Sequence, residues 1–134
     1  MSDKRIYIVD DYPLAALITK KTIEKLSINN CIVSEFESSL LLLNRFQKEF
    51  EQIDMIITDY EMPDLRGDEL IKEVRKMKPN IKIVVMSAWL DTSVLEGQEL
   101  IGKEVKALRP DLILAKPFPD GWVGKVDKIL EERG

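Results

Sequence analysis

Apolar residues in this chain fall into short solid runs, and the runs alternate with longer stretches of helical spacing. Arg5 to Val9 is nearly continuous in apolar residues and reads as a buried strand. Pro13 to about Ser27 follows as a helix, with Pro13 in its first turn and Leu14, Leu17, Ile18, Thr22 and Leu26 near one face. Cys31 to Phe36 is a second strand. Ser38 to Phe50 is a helix capped by Ser38 or Ser39, with Leu42, Phe46 and Phe50 at helical spacing. Asp54 to Thr58 is apolar on both faces, as a central strand must be. A helix over Gly67 to Met77 places Leu70, Ile71, Val74 and Met77 together and ends before Pro79. Ile81 to Met86 is a fourth strand, and Asp91 to about Leu108 a long helix through Ile101, Val105 and Leu108. Leu112 to Ala115 is a short fifth strand. Gly121 to Glu132 is the last helix, with Val123, Val126 and Leu130 inward. Strict β–α alternation predicts an α/β protein, a parallel sheet covered by helices on both faces.

Ligands in such folds bind beyond the carboxyl ends of the strands. Those ends carry Asp10 and Asp11, then Asp59, then Ser87 and Ala88, then Lys116 and Pro117. Two strands therefore stop on carboxylates that share one edge of the sheet. Crowded carboxylates repel, so the pocket must hold a cation or keep a proton. Hard carboxylate oxygens suit Mg²⁺, which takes a few acids, waters and ligand phosphate. Ser87 adds a hydroxyl and Lys116 a positive charge, and both could ligate the oxygens of a phosphoryl group. Asp59, on the central strand, is the candidate nucleophile. Any one of these residues alone would be a loop or cap residue; the combination in this order carries the inference.

The 134 residues suit one domain over 1–134, and 45% hydrophobic with 33% charged residues is ordinary for a globular chain. A net charge of −4 argues against direct nucleic-acid binding or an anionic membrane surface. Absence of histidine excludes His-based triads, most zinc sites and a phosphohistidine carrier. The single cysteine, Cys31, cannot form an internal disulfide, which fits a reducing, cytoplasmic setting, and it reads as a small buried residue. No apolar run is long enough to span a bilayer.

The segments Ile8-Val9-Asp10-Asp11, Thr58-Asp59-Tyr60-Glu61-Met62-Pro63, Val85-Met86-Ser87-Ala88 and Lys116-Pro117-Phe118 resemble the motifs of response-regulator receiver domains of two-component signalling. The resemblance runs from Arg5 to about Leu130. It implies a flavodoxin-like doubly wound (βα)5 fold with strand order 2-1-3-4-5. It implies a phosphoaspartate at Asp59, with the phosphoryl group drawn from a histidine kinase or a histidine phosphotransfer protein. It further implies Mg²⁺ bound by Asp11 and Asp59 directly, by Asp10 through water, and by the backbone carbonyl of Glu61. Ser87 and Lys116 would hold the phosphoryl group, and the Lys116–Pro117 bond would be cis. Gly67 matches the family's glycine at the start of the third helix. The resemblance makes the chain a phosphoacceptor signalling domain rather than an enzyme. Its output would go to a downstream protein that the sequence does not identify. A homodimer through the fourth-helix, fifth-strand and fifth-helix face is a further state the resemblance allows.

Three positions depart from the family pattern. Ile113 stands where receivers carry a Tyr or Phe that rotates as a switch. Ser87 and Lys116 are 29 positions apart, several more than is usual. Trp89 lies two residues after Ser87, where it is either a loop cover or a lid over Asp59. Trp122 is expected to pack the last helix onto the sheet. These departures leave a phosphorylation-independent interaction module as an alternative, and a fragment of a hybrid kinase or larger regulator as another. A phosphohydrolase of the haloacid-dehalogenase type is disfavoured, because Asp10-Asp11-Tyr12-Pro13 lacks that family's Asp-x-Asp motif.

Overall fold

The computed structural model describes residues 3–62, 64–87 and 105–132. One five-stranded parallel sheet forms the centre, with strands β1 (Lys4–Val9), β2 (Cys31–Phe36), β3 (Met55–Asp59), β4 (Lys82–Ser87) and β5 (Leu112–Ala115). Their spatial order is β2-β1-β3-β4-β5, the doubly wound order expected. Helices α1 (Pro13–Leu26), α2 (Ser39–Glu49) and α3 (Gly67–Met77) connect them, and a C-terminal helix (Trp122–Glu131) closes the chain. Of the long helix expected over Asp91 to Leu108, only its end lies among the described residues. There Val105 is buried and Leu108 half-buried. Ala88, Trp89 and Pro63 lie outside the described residues, as does most of the fourth-helix part of the expected dimer face.

The central strands β1, β3 and β4 are buried on both sides, and alternate side chains feed two cores. Tyr7, Val9, Ile56 and Val85 point to the face that Leu42 and Phe46 of α2 and Leu70 and Val74 of α3 cover. Ile6, Ile8, Ile57 and Val84 point to the opposite face, against Ala16 and Ile23 of α1 and Val126 and Ile129 of the C-terminal helix. Fully burying each of the larger side chains contributes about 1.5–3 kcal/mol. Trp122 packs half-buried against this second core, as expected, with its ring 4.9 Å from that of Phe118.

Local signals account for the helix ends. Pro13 begins α1, where a missing amide hydrogen costs nothing. Ser38 caps α2, its hydroxyl accepting from the Leu41 amide at 3.4 Å. Asp64, in the loop after β3, also accepts from Leu40 N at 3.2 Å and from the Ser38 hydroxyl. Burial would raise the Asp64 carboxyl, but these bonds outweigh it and hold the pKa below the usual range. Gly67 opens α3 because a Cβ there would lie 2.9 Å from both the Asp59 carbonyl oxygen and the Tyr60 Cα.

Two sequence expectations are corrected. The buried stripe of α1 is Ala16, Thr19 and Ile23, whereas Leu14 and Ile18 are more than half exposed. The two stripes are offset by two positions, about 200° at roughly 100° per residue. Apolar residues nearly encircle α1, so periodicity could not choose a face. The small side chains of Ala16 and Thr19 let the helix lie close to the sheet, and bulky leucines would hold it away. Cys31 is half-buried rather than buried; its partial burial pushes the thiol pKa up, and its Sγ lies 3.4 Å from the Ser27 hydroxyl.

Candidate functional site

Register brings the strand ends together. Val9 pairs with Thr58, Asp59 with Met86, and Ser87 with Ala115. The residues just past β1 and β5, together with the last residues of β3 and β4, therefore lie along one edge of the sheet. Asp10 and Asp59 are buried there, Ser87 is fully buried, and Asp11 is exposed. One carboxylate oxygen from each of Asp10, Asp11 and Asp59 lies within 4.8 Å of the others. That spacing and donor chemistry fit a small divalent cation with oxygen ligands.

Backbone amides hold the acids in place. The Tyr12 amide donates to Asp10 Oδ1 at 2.9 Å, and the Glu61 amide donates to Asp59 Oδ1 at 3.3 Å. Tyr60 N bonds Met86 O and Gly67 N bonds Tyr60 O, so the turn after Asp59 is tied to β4 and to α3. Glu61 sits in that turn, two residues past the nucleophile candidate. Lys116 N donates to Ser87 O at 3.1 Å, which sets the lysine beside β4, and its peptide bond to Pro117 is cis.

The Lys116 ammonium lies between two acids, 2.9 Å from Asp10 Oδ2 and 3.0 Å from Asp59 Oδ2. Desolvation lowers the lysine's pKa, but the bonds to Asp10 and Asp59 outweigh it, so its pKa is raised and the amine stays charged. The Asp59 carboxyl is pushed above its ordinary range, chiefly by burial, with Asp10 adding repulsion. Lys116 and the Glu61 amide oppose that rise without cancelling it. One lysine is shared by two acids, and its single charge cannot neutralise both. The pocket is thus short of positive charge, the electrostatic condition for cation binding.

Every residue singled out at the strand ends and described here lies at this edge: Asp10, Asp11, Asp59, Ser87 and Lys116. Ile113 is half-buried against the first core. No local pattern announced the apolar wall beside the acids, where Ile18 of α1 lines one cavity together with Phe118 and Trp122. Ile18 is remote in sequence from the neighbouring pair Phe118 and Trp122, and only the packing of α1 against the C-terminal helix brings them together.

Comparison with known proteins places this geometry in context. The family profile of the response regulator receiver domain matches residues 6–119. The chemotaxis protein CheY of Thermotoga maritima is 31% identical over 127 residues, covering 94% of this chain and 97% of that protein. The transcriptional regulatory protein RcsB of Salmonella typhi is 34% identical over 100 residues, covering 72% of this chain but 45% of that protein. Among solved structures, the response regulator protein TrrA of Thermotoga maritima in complex with Mg(2+)-BeF superposes with a TM-score of 0.74 and 25% identity. That match covers 94% of this chain and 98% of that one.

Proposed function

The chain belongs to the response regulator receiver domain family, and from that premise we propose that Asp59 accepts a phosphoryl group in a Mg²⁺-dependent reaction. Receiver domains are signalling domains. The observation that carries the proposal is the position of Asp59, a buried carboxylate beside two further acids and 3.0 Å from a lysine. In this reading Asp10, Asp11 and Asp59, with the Glu61 carbonyl, hold the cation. When bound, Mg²⁺ supplies the positive charge that neutralises phosphoryl oxygens. The TrrA complex with Mg(2+)-BeF supports that choice of cation.

Asp59 attacks phosphorus with a carboxylate oxygen, and the leaving group departs from the opposite side. Lys116 carries a charge that can move from the acids to the incoming phosphoryl oxygens without crossing the pocket. Ser87 offers its hydroxyl to the same group. Positioning and charge neutralisation do most of the work, because the chemistry needs no further covalent partner. The donor is the phosphohistidine of a histidine kinase or a histidine phosphotransfer protein, and the output is docking to another protein. The unit is a single domain over 1–134.

Incubation with acetyl phosphate and Mg²⁺ is expected to add one phosphate to the chain, read by intact-mass spectrometry. The adduct should vanish with EDTA and in Asp59→Ala. A phosphate adduct persisting on the Ala variant would falsify the assignment of Asp59.

A phosphorylation-independent interaction module is the second reading, favoured by Ile113, a branched side chain half-buried against the core where a switching aromatic would stand. Calorimetry with Mg²⁺ and beryllofluoride separates the two. Saturable binding supports the phosphoacceptor, and no heat of binding supports the module.

A further inference from the structure

A cavity of about 400 Å³ opens between α1 and the C-terminal helix, directly beside the acidic pocket. Asp10 and Lys116 are part of its lining, and Ile18, Thr22, Phe118 and Trp122 are among the other residues that line it. Phe118 and Trp122 meet edge to face with centroids 4.9 Å apart, so that wall is aromatic. Ile18 stands 57% exposed on the facing helix although it borders the cavity. A largely apolar cavity of this size with a few charged groups in its lining, here Asp10 and Lys116, is the form of a small-molecule site. A ring fits its volume, and a ring bound there keeps its polar end beside Lys116.

We propose that this cavity receives the leaving group of small acyl phosphates and selects aromatic or branched acyl groups over acetyl. The inference rests on the phosphoacceptor reading of Asp59 and adds a substrate class to it. Lys116 joins the two sites: it lines the cavity and lies 3.0 Å from Asp59 Oδ2. In the step, an Asp59 carboxylate oxygen forms a bond to phosphorus. The bond from phosphorus to the acyl oxygen breaks, and its electron pair leaves with the carboxylate product. No proton, oxidant or reductant is consumed. The released carboxylate carries its negative charge beside the Lys116 ammonium, while its apolar body stays against Ile18, Phe118 and Trp122.

The test compares acetyl phosphate with benzoyl phosphate, each with saturating Mg²⁺, following the phosphate adduct by intact mass. The two leaving carboxylates are of similar basicity, so the ratio of initial rates at equal sub-saturating concentration reports binding of the acyl group. Transfer from benzoyl phosphate is expected to be faster by about tenfold or more, the gain that burying a ring allows. The difference should reside in the concentration dependence rather than in the rate at saturation. In Ile18→Asn, an exposed position that spares the core, and in Trp122→Ser, the ratio should fall toward one. Equal rates in the unaltered protein, or a preference that survives both variants, overturns the cavity assignment while leaving Asp59 as acceptor. Failure of both donors to transfer overturns the acceptor reading and the cavity assignment together.

Discussion

Asp59 stores an electrostatic cost. Burial and Asp10 raise its folded pKa above the unfolded value, so the folded state binds more protons than the unfolded chain between those two values. Stability therefore falls as pH rises through that window, and the loss persists at neutral pH. Removing the charge should recover it. In EDTA at pH 7, Asp59→Asn is expected to raise Tm in differential scanning calorimetry. The gain should disappear below about pH 4, where the unfolded carboxylate also becomes protonated. A lower Tm for the Asn variant at pH 7 would show that the bond to Lys116 outweighs burial. Gly67 is constrained by space rather than charge. A methyl group there meets backbone of Asp59 and Tyr60 at 2.9 Å, which cannot yield as a flexible side chain does. Gly67→Ala should cost about 1–3 kcal/mol in urea unfolding and also slow phosphorylation, because the atoms displaced belong to the turn that carries Asp59.

Elements differ in how much of their placement was legible. In α3 the apolar residues form one stripe and polar residues the rest, and in α2 Leu42 and Phe46 recur at helical spacing although Leu40 and Leu41 stand exposed, so periodicity identified Leu42, Phe46, Leu70 and Val74 among the buried residues. In α1 the apolar residues surround the helix, and of the stripe read from helical spacing Leu14, Leu17, Ile18 and Leu26 are exposed. The corrected orientation is testable by paired truncation. Ile23→Ala should destabilise by about 2–5 kcal/mol in chemical denaturation, whereas Leu14→Ala should stay within about 0.5 kcal/mol. Comparable losses at both positions would return α1 to the face its leucines suggested. The ends of elements also hold contacts that no local signal announced. Asp127 of the C-terminal helix accepts from the Ile28 amide at 3.1 Å and from Asn29 Nδ2 at 2.9 Å, fastening the turn between α1 and β2. Arg75 of α3 donates to the Arg109 carbonyl at 2.9 Å and to that of Leu108. Each partner is remote in sequence, and a charged residue on a helix reads as solvated until the fold supplies its acceptor.

At the scale of the whole molecule, the folded state brings the acids together and the unfolded state does not. A cation bound only by the assembled site must therefore stabilise the fold. Mg²⁺ at about 100 times its Kd should contribute about 2.7 kcal/mol, a Tm rise of several degrees by differential scanning calorimetry. The rise should be much reduced in Asp11→Asn, whose exposed side chain leaves the core unchanged. An unaltered rise in that variant would remove Asp11 from the cation site. The charge shortage around Lys116 gives the physical ground for both this prediction and the Asp59→Asn result. The same excess negative charge burdens the apo fold and attracts the ion.

The chain itself determined the alternation of strands and helices, because burial on both faces of a parallel strand demands an unbroken apolar run. It also determined which residues stand at the strand ends, because a run must stop where polar chemistry begins. From those two facts the sheet and the acid, hydroxyl and lysine set could be read directly. Tertiary structure alone decided how that set is connected. Lys116 reaches Asp10 across 106 positions and Asp59 across 57, and its division between them keeps both acids only partly neutralised. It also decided which face of α1 is buried, and with it that Ile18 stands opposite Trp122 beside the acids. Periodicity is a property of neighbours along the chain. Charge sharing and cavity walls depend on distances in space, which only packing sets.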